Sequence, residues 1–250
     1  ICNTIYQYAK ANPDTLGVDI KTQVTVDYGT KSNFENAKPQ KIHTIVASAP
    51  SNGKLHIDEV RALVLELIGK SNLPKELYNP KDCIIHINPT GRYVNHSSLH
   101  DSGLTGRKLI VDSFGGYAPI GGGAQSSKDY TKVDRSGLYA ARWIAKHIVA
   151  AGLCKKALVQ LSYAIGVARP TSVSVDMMGT ALTPLDDVEL SALVSARYPL
   201  TPRWITEKFN LDKPSDKTFK YADVAARGQV GFGDYPWEKL DDLAWYKGIA

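Results

Sequence analysis

The order of sequence patterns repeats once along the chain, and this repeat constrains the fold more than any other feature. Each copy has two stretches in which polar residues alternate with β-branched or other apolar residues, followed by one with apolar residues at helical spacing. The stretches are residues 21–28, 42–50 and 56–68 in the first copy, and residues 157–163, 171–179 and 186–198 in the second. The repeat predicts two copies of one α+β unit, each built as strand, strand and helix.

Strands outnumber the helices that could cross between parallel strands. Antiparallel or mixed sheets are therefore favoured over a doubly wound parallel sheet. The chain has 250 residues, 43% of them hydrophobic, which is enough for one large or two medium domains. We predict an α+β fold of two similar domains, residues 1–94 and 95–250, each with a mixed or antiparallel sheet and helices on one face.

Charge and cysteine content exclude several classes of protein. The net charge of +5 suits an anionic small molecule, whereas nucleic-acid-binding proteins concentrate more basic charge on one face. The three cysteines form no CxxC motif, which favours a reducing compartment such as the cytoplasm over a disulfide framework or a zinc site. No apolar run reaches the ~20 residues that a membrane-spanning helix needs. We therefore expect neither a nucleic-acid partner nor a membrane.

The second half of the chain carries three local expectations. The apolar run LIVDSF, residues 109–114, predicts a strand. Residues 133–152 predict an amphipathic helix that Gly152 ends, with its arginines and lysines on a solvated face. The packed face of this helix is predicted to contain Leu138, Ala141, Ala145 and Ile148.

Residues 101–134 combine two pairs of cations with a glycine-rich loop. The first pair is Arg107 and Lys108, the second is Lys128 and Lys132, and the loop, residues 115–123, lies between them. Cations around a loop with little side-chain bulk allow a polyanion to approach backbone N–H groups. Because Lys128 and Lys132 are four residues apart at a predicted helix start, they can point the same way.

The loop does not match the common glycine-rich nucleotide motifs. Lys128 is followed by Asp129, so the Gly-Lys-Ser/Thr ending of a P-loop is missing. No GxGxxG follows a predicted strand, and no GxSxG motif occurs. A glycine-rich loop by itself is most often a flexible connection, but the four flanking cations favour an anion site.

Long stretches of the chain resemble S-adenosylmethionine synthetases, also called methionine adenosyltransferases. The stretches are INPTGRY (87–93), DSGLTGRKLIVDSFGG (101–116), GGGAQSSKDYTKVDRSGLYAARWIAK (121–146) and LVQLSYAIGVARPTSVSV (158–175). The likeness is dense from residue 84 to 180, continuous from Asp19, and recoverable at YPWEKLD, residues 235–241. Motifs of this length are highly specific.

The resemblance implies three similar α+β domains around a pseudo-threefold axis, of which this chain matches the central and C-terminal ones. It implies an enzyme that joins the sulfur of L-methionine to C5′ of ATP and then cleaves the released triphosphate to pyrophosphate and phosphate. Mg²⁺ and K⁺ are the implied cofactors. The implied assembly is a homodimer or homotetramer with active sites between subunits.

The resemblance also implies roles for the residues of the central block. Arg107, Lys108 and Lys128 would grip the phosphates of ATP. Lys132 would lie near methionine, and Arg107, Lys128 and Lys132 are the catalytic candidates. Asp134 would hold a magnesium ion.

Further residues implied to bind ATP lie outside the two cation pairs. Tyr93 would stack on adenine, and Asp101 would meet both methionine and the nucleotide. The remaining residues implied to contact ATP are Asp19, Ile20, Lys21, Arg92 and Ala124. On residue types alone, Asp19 and Lys21 are instead interpreted as a solvated charge pair two residues apart.

The chain departs from the family pattern at several positions. Ile120 stands where the family usually has His, Gln125 where it has Phe, and Ser127 where it has Gly. The segment before Asp101 reads NHSSLH in place of a glycine-rich run, and residues 228–234 read GQVGFGD where Gly-His-Phe-Gly-Arg is common. These departures concern the methionine side and the loop more than the phosphate-gripping residues.

Three functions remain open at this point. The first is an adenosyltransferase, and the second is a non-catalytic ATP-binding or assembly subunit of the same ancestry. Methionine should affect nucleotide binding only in the first case. The third is a basic RNA-binding module, which the missing RNP, KH and arginine-rich signals disfavour.

The first prediction concerns the chain by itself. The sequence starts without Met inside a helix-like pattern, which indicates a fragment or a processed chain, and the family's His-Pro-Asp-Lys motif does not occur in it. The resemblance places that motif, one metal aspartate and the potassium glutamate in an N-terminal domain. We expect the 250-residue chain alone to form little or no S-adenosylmethionine from ATP and methionine. Robust turnover in a direct product assay would refute this expectation.

Overall fold

The computed structural model describes residues 1–29 and 38–250. Most of the loop predicted between Gly29 and Gln40 lies outside the described residues. The chain folds into two compact units, Ile1–Gly103 and Leu104–Ala250, here called the first and the second unit. No helix within the described ranges is long and apolar enough to cross a membrane.

The first unit contains a three-stranded mixed sheet in the order β1-β2-β3. Strand β1 (Lys21–Asp27) pairs antiparallel with β2 (Lys41–Ser48), with an irregularity in register between Thr25 and Val26. Strand β3 (Ile84–Ile87) lies parallel to β2 at the other edge. The alternating patterns therefore form the strands that the sequence predicts.

Two helices cover the apolar side of this sheet. Helix α1 (Cys2–Ala11) buries Ile5 and Ala9. Helix α2 (Ile57–Gly69) begins with a capping box, in which His56 accepts from the first turn and Glu59 accepts from the backbone of His56. Helical spacing predicts a buried stripe of Val60, Leu63, Val64 and Leu67. The structure buries Val60, Val64, Leu67 and Ile68, whereas Leu63 is half-buried.

The second unit repeats the order of the first. Strands β4 (Leu158–Ser162) and β5 (Ser172–Asp176) pair antiparallel, and helix α5 (Asp187–Arg197) follows with a capping box of its own. The long helix α4 (Val133–Ala150) precedes them. The predicted α+β class with mixed and antiparallel sheets is confirmed.

The other helices of the second unit are short. They are α3 (Leu109–Asp112), α6 (Pro202–Phe209), α7 (Tyr221–Arg227), a 3₁₀ turn (Pro236–Glu238) and α8 (Leu243–Gly248). The strand predicted for residues 109–114 is wrong, because this segment forms the single turn α3. Within the turn, the Asp112 N–H donates to the Lys108 carbonyl at 3.0 Å. The Asp112 carbonyl accepts at 2.7 Å from the N–H of Gln229, which lies in the C-terminal segment of residues 221–250, here called the tail.

Helix α4 packs on a face that differs from the predicted one. Of the predicted residues only Ile148 is buried, whereas Leu138, Ala141 and Ala145 are half-buried. The centre of the core is Trp143, whose ring meets Tyr198 edge-on at 5.2 Å. The buried face of α4 contains Arg135, Ser136, Gly137, Tyr139, Ala140, Trp143, Ile144, His147 and Ile148.

The sequence predicts a solvated face for the cations of α4, and this prediction is wrong. The carboxylate of Glu238 has only 1% of its side chain exposed, and it accepts from Arg142 Nε at 2.9 Å and from Lys146 Nζ at 2.9 Å. Arg135 is buried, with its guanidinium 4.6 Å above the ring of Tyr221. The tail therefore supplies an anion and an aromatic ring that helical spacing alone does not reveal.

The Glu238 contact generates a prediction about acid stability. Burial by itself would raise the pKa of Glu238, but the hydrogen bonds from Arg142 and Lys146 place the pKa below its ordinary value of 4.5. The folded state therefore gains stability from Glu238 above the unfolded pKa and loses it as the pH falls through the folded pKa. We expect Glu238→Gln to lower the free energy of unfolding at pH 7 by about 3 kcal/mol, because it leaves two cations without their anion.

Urea unfolding between pH 3 and 7 measures both effects. As the pH falls below 4.5 the deficit of Glu238→Gln relative to the wild type should begin to shrink, since Glu238 binds a proton first in the unfolded wild type and only at lower pH in the folded state. The matched control is Glu207→Gln, because Glu207 is exposed and pairs with Arg203 on the surface of α6. An equal loss of stability in both variants would contradict the role assigned to Glu238.

Candidate functional site

In the first unit, Asp19 and Tyr93 are joined although they lie far apart in sequence. The Tyr93 hydroxyl donates to Asp19 Oδ2 at 2.7 Å. This hydrogen bond lowers the pKa of Asp19, which therefore carries its negative charge well into the acid range. Burial, together with the neighbouring carboxylate, raises the pKa of Tyr93 to about 12. The tyrosine therefore stays a neutral hydrogen-bond donor at physiological pH.

The other predicted residues of the first unit lie around this bond. Lys21 Nζ is 3.6 Å from Asp101 Oδ2, and both side chains are exposed. Arg92 donates to the Gly53 carbonyl at 3.0 Å. Ile20 is half-buried against the core of the first unit. Residue types alone indicate a solvated pair of Asp19 and Lys21. In the structure Asp19 accepts from Tyr93 and Lys21 lies beside Asp101, although the charge of Lys21 also helps to lower the pKa of Asp19.

His96 is close to this group, and the sequence analysis gave it no role. Its ring lies against Gly17, where an added Cβ would come within 2.6 Å of both Cε1 and Nε2. The ring also meets Tyr93 edge-on, with centroids 6.3 Å apart. The sequence signal for His96 is the segment NHSSLH, which departs from the glycine-rich family pattern.

In the second unit, Gly106 brings the first cation pair against the glycine-rich loop. Gly106 has φ +87°, and an added Cβ would lie 2.8 Å from the Cβ of Ala124. Both the left-handed backbone and the close approach require glycine. The turn that carries Arg107 and Lys108 therefore touches the loop that leads to Lys128, and both of its cations are exposed.

The two lysines of the second cation pair, whose spacing allows them to point the same way, pair with different carboxylates. Lys128 bonds to Asp134 in the first turn of α4, while Lys132 Nζ is 3.3 Å from Asp129 Oδ2. The hydroxyl and backbone N–H of Thr131, with Lys132, lower the pKa of Asp129 to about 2. Each lysine is thus neutralised by a local carboxylate.

Gly123 fixes the position of Asp134 relative to the loop. A Cβ at Gly123 would overlap the Asp134 carboxyl group, so any larger residue would displace one of the two. Asp134 is half-exposed, with 47% of its side chain accessible. It is therefore available to a ligand on the loop side of α4.

A cavity of about 550 Å³ lies beside the loop, between residues 114–125, α4 and β4. Leu138, Ala141 and Ala145 line it, which explains why these predicted core residues are only half-buried. Asp134 and Gln125 also line it. Within the described residues, Arg107, Lys128 and Lys132 are not part of its wall.

Asp134 is the candidate metal ligand of this chain. In the described parts of the chain, no group of three or more His, Cys, Asp and Glu side chains is arranged to hold a metal ion. Magnesium, however, commonly takes only one or two carboxylates and completes its shell with phosphate oxygens and water. The single half-exposed carboxylate of Asp134 fits that pattern.

Comparison with known families accounts for both units. Residues 1–93 match the model of the S-adenosylmethionine synthetase central domain, and residues 96–239 match that of its C-terminal domain. The chain belongs to the S-adenosylmethionine synthetase family. The family resemblance inferred from the sequence is confirmed.

Individual family members match over most of this chain. An S-adenosylmethionine synthase of Streptococcus thermophilus is 48% identical over 230 residues, and one of Nitratiruptor sp. is 47% identical over 228 residues. These matches cover 91% and 90% of this chain but only 55% of each relative. This chain therefore spans about half the length of those relatives.

A solved structure described as an unusual S-adenosylmethionine synthetase from Campylobacter jejuni has the same fold. It is 71% identical, with a TM-score of 0.94, and the match covers all of this chain and 64% of that one.

The Asp19–Tyr93 bond generates a direct test. We expect Tyr93→Phe to raise the pKa of Asp19 towards the ordinary value of 3.8, because the charged carboxylate loses its hydrogen-bond donor. Titration of the Asp19 carboxyl carbon by NMR measures this pKa. Tyr78→Phe is the control, since it removes a half-buried hydroxyl of the same unit that no hydrogen bond joins to Asp19. An unchanged Asp19 pKa in Tyr93→Phe would rule out the bond as its cause.

Proposed function

We propose that this chain forms part of a methionine adenosyltransferase, which makes S-adenosylmethionine from ATP and L-methionine. The observation that carries the proposal is the contact of Gly106 with Ala124, because it joins the turn of Arg107 and Lys108 to the loop of Lys128. Three exposed or half-exposed cations thereby belong to one local structure. Membership of the family supports the choice of ATP as the polyanion.

The proposed reaction has an unusual distribution of charge. The lone pair of the methionine sulfur forms a bond to C5′ of ATP, and the C5′–O bond breaks with its electrons passing to the triphosphate. The sulfonium product is positive, and the leaving group carries several negative charges. Catalysis therefore depends on holding the sulfur in line and on stabilising the departing triphosphate before its hydrolysis to pyrophosphate and phosphate.

The second unit supplies the groups that stabilise this leaving group. Arg107, Lys108 and Lys128 hold the phosphates in the proposal, beside the backbone of Ala124. Lys132 lies towards methionine. Since Lys128 bonds to Asp134 in the structure, binding of a triphosphate requires Lys128 to exchange a carboxylate for a phosphate oxygen.

This exchange releases the carboxylate of Asp134 for a metal ion. Magnesium, when bound by Asp134 and phosphate oxygens, would supply positive charge that offsets the charge on the leaving group. For K⁺ the residues of this chain suggest no ligand, and the potassium requirement stays a prediction from the family resemblance.

The first unit supplies the nucleoside side in the same proposal. Tyr93 presents its ring to adenine while its hydroxyl holds Asp19. The ion pair of Lys21 and Asp101 offers one charge to the nucleotide and one to the methionine ammonium group. Ile20 and Arg92 complete the set of contacts to the nucleotide.

Assembly, domain boundary and location follow the family resemblance. We place the boundary between the central and C-terminal domains at residues 94 and 95, and propose a homodimer or homotetramer with active sites between subunits. None of the three cysteines forms a disulfide, which supports the proposed cytoplasmic location.

A non-catalytic ATP-binding or assembly subunit of the same family is the second candidate. It is favoured by the fact that the matches cover only 55% of the relatives' length. Titration calorimetry with a non-hydrolysable ATP analogue, in the presence and absence of methionine, separates the two candidates. A nucleotide affinity that responds to methionine supports the transferase, and one that does not respond supports the second candidate.

The cation set generates a binding prediction. We expect Lys128→Met and Arg107→Met each to weaken the binding of tripolyphosphate by about tenfold, because each removes a charge-assisted hydrogen bond. Increasing salt should reduce this difference. Lys247→Met is the matched control, since Lys247 is an exposed cation of the second unit in the last turn of α8. Equal affinities of Lys128→Met and Lys247→Met would exclude Lys128 from the site.

A further inference from the structure

Gln229 follows α7 and is fully buried in the second unit. Its backbone N–H donates to the Asp112 carbonyl at 2.7 Å, and its carbonyl accepts from Trp237 Nε1 at 2.8 Å. Its side-chain Oε1 accepts from the Tyr139 hydroxyl at 2.7 Å, and its Nε2 donates to Ser126 Oγ at 2.8 Å. Because a buried amide is unfavourable unless its hydrogen bonds are made, these four contacts hold Gln229 in one position.

Two of these contacts reach the segments that carry the proposed phosphate-binding cations. Ser126 lies between the glycine-rich loop and Lys128, two residues before that lysine. Asp112 ends the single turn α3, which begins directly after Lys108. Gln229 therefore bonds to both segments from the buried core, while Gly106 and Ala124 make the direct contact between them.

The other two contacts join Gln229 to the buried aromatic core. The rings of Tyr139 and Trp237 are stacked, with centroids 3.7 Å apart and planes 4° from parallel. Both side chains are fully buried. Gln229 thus connects a fixed aromatic stack to two exposed segments whose own buried contacts are few.

We infer that Gln229 is a positioning residue, which sets the distance between the loop of Lys128 and the turn of Arg107 and Lys108. This inference rests on the proposed function, in which those cations bind one triphosphate. Gln229 has no exposed surface and cannot touch a ligand itself. It acts through Ser126 and Asp112, and small displacements of binding groups weaken binding because the cations must reach the same anion.

Four variants separate positioning from general stability. Gln229→Met removes both side-chain hydrogen bonds at similar volume, and Ser126→Ala removes only the bond to the loop. Ser126→Thr keeps the hydroxyl. Tyr139→Phe removes only the bond to the aromatic core and leaves the loop contact intact.

The first measurement is the affinity for tripolyphosphate by titration calorimetry, with thermal unfolding recorded for every variant. We expect Gln229→Met and Ser126→Ala each to bind about fivefold more weakly, since each loses one hydrogen bond that orients the loop. The double variant should be no weaker than Gln229→Met alone, because the two changes remove the same contact. Ser126→Thr should restore most of the affinity. Tyr139→Phe should unfold at a lower temperature but lose less affinity than Gln229→Met, because the bond from Gln229 to Ser126 remains.

The second measurement is amide hydrogen exchange, which needs no ligand. In Gln229→Met, exchange should become at least about fivefold faster in residues 104–112 and 121–132, while α5 and the β4–β5 sheet keep their protection. Unchanged exchange in both segments would overturn the inference, and so would an equal loss of affinity in Tyr139→Phe. If the wild type fails to bind tripolyphosphate, the proposed function is wrong, and the exchange pattern still decides whether Gln229 positions the two segments.

Discussion

The buried carboxylate of Glu238 accepts hydrogen bonds from Arg142, Lys146 and the backbone of Gly231, and so fixes the tail of the second unit against helix α4. A buried anion is stable only when its partners are in place. The tail must therefore adopt one path across α4. That path stacks Trp237 on Tyr139 and brings Gln229 into contact with Ser126, next to the glycine-rich loop. The candidate site depends on a carboxylate that does not belong to it.

Local neutralisation of charge is the second constraint on the site. Lys128 and Lys132 bond to Asp134 and Asp129, and Lys21 lies beside Asp101. These pairs are largely exposed, so each contributes little to stability and can be exchanged for a ligand at small cost. A triphosphate concentrates more negative charge than one carboxylate, so in the proposed function the same cations can exchange these carboxylates for a polyanion.

Helix α4 contributes to both the core and the candidate site because its two sides carry different residues. One side carries Tyr139, Trp143 and Ile148 into the aromatic core, and the other presents the small residues Ala141 and Ala145 to the cavity beside the loop. Its first turn holds Asp134 next to Gly123, where only glycine fits. The core, the cavity and the metal-ligand candidate are therefore coupled through one rigid element.

Residue periodicity determined the order of the repeated elements. Strands β1, β2, β4 and β5 and helices α2, α4 and α5 follow from residue spacing within each segment, and the long motifs determined the family. Only the tertiary structure decided the rest. The turn at Leu109–Asp112 forms in place of the predicted strand, and the Asp112 carbonyl accepts from the Gln229 N–H. Arg142 and Lys146 leave the predicted solvated face because the fold brings Glu238, which is distant in sequence, beside them. The partners of Lys128, Lys132 and Tyr93 were likewise decided there. Spacing reports which residues share a face of one element, whereas the partner of a charge depends on which distant segment the fold brings beside it.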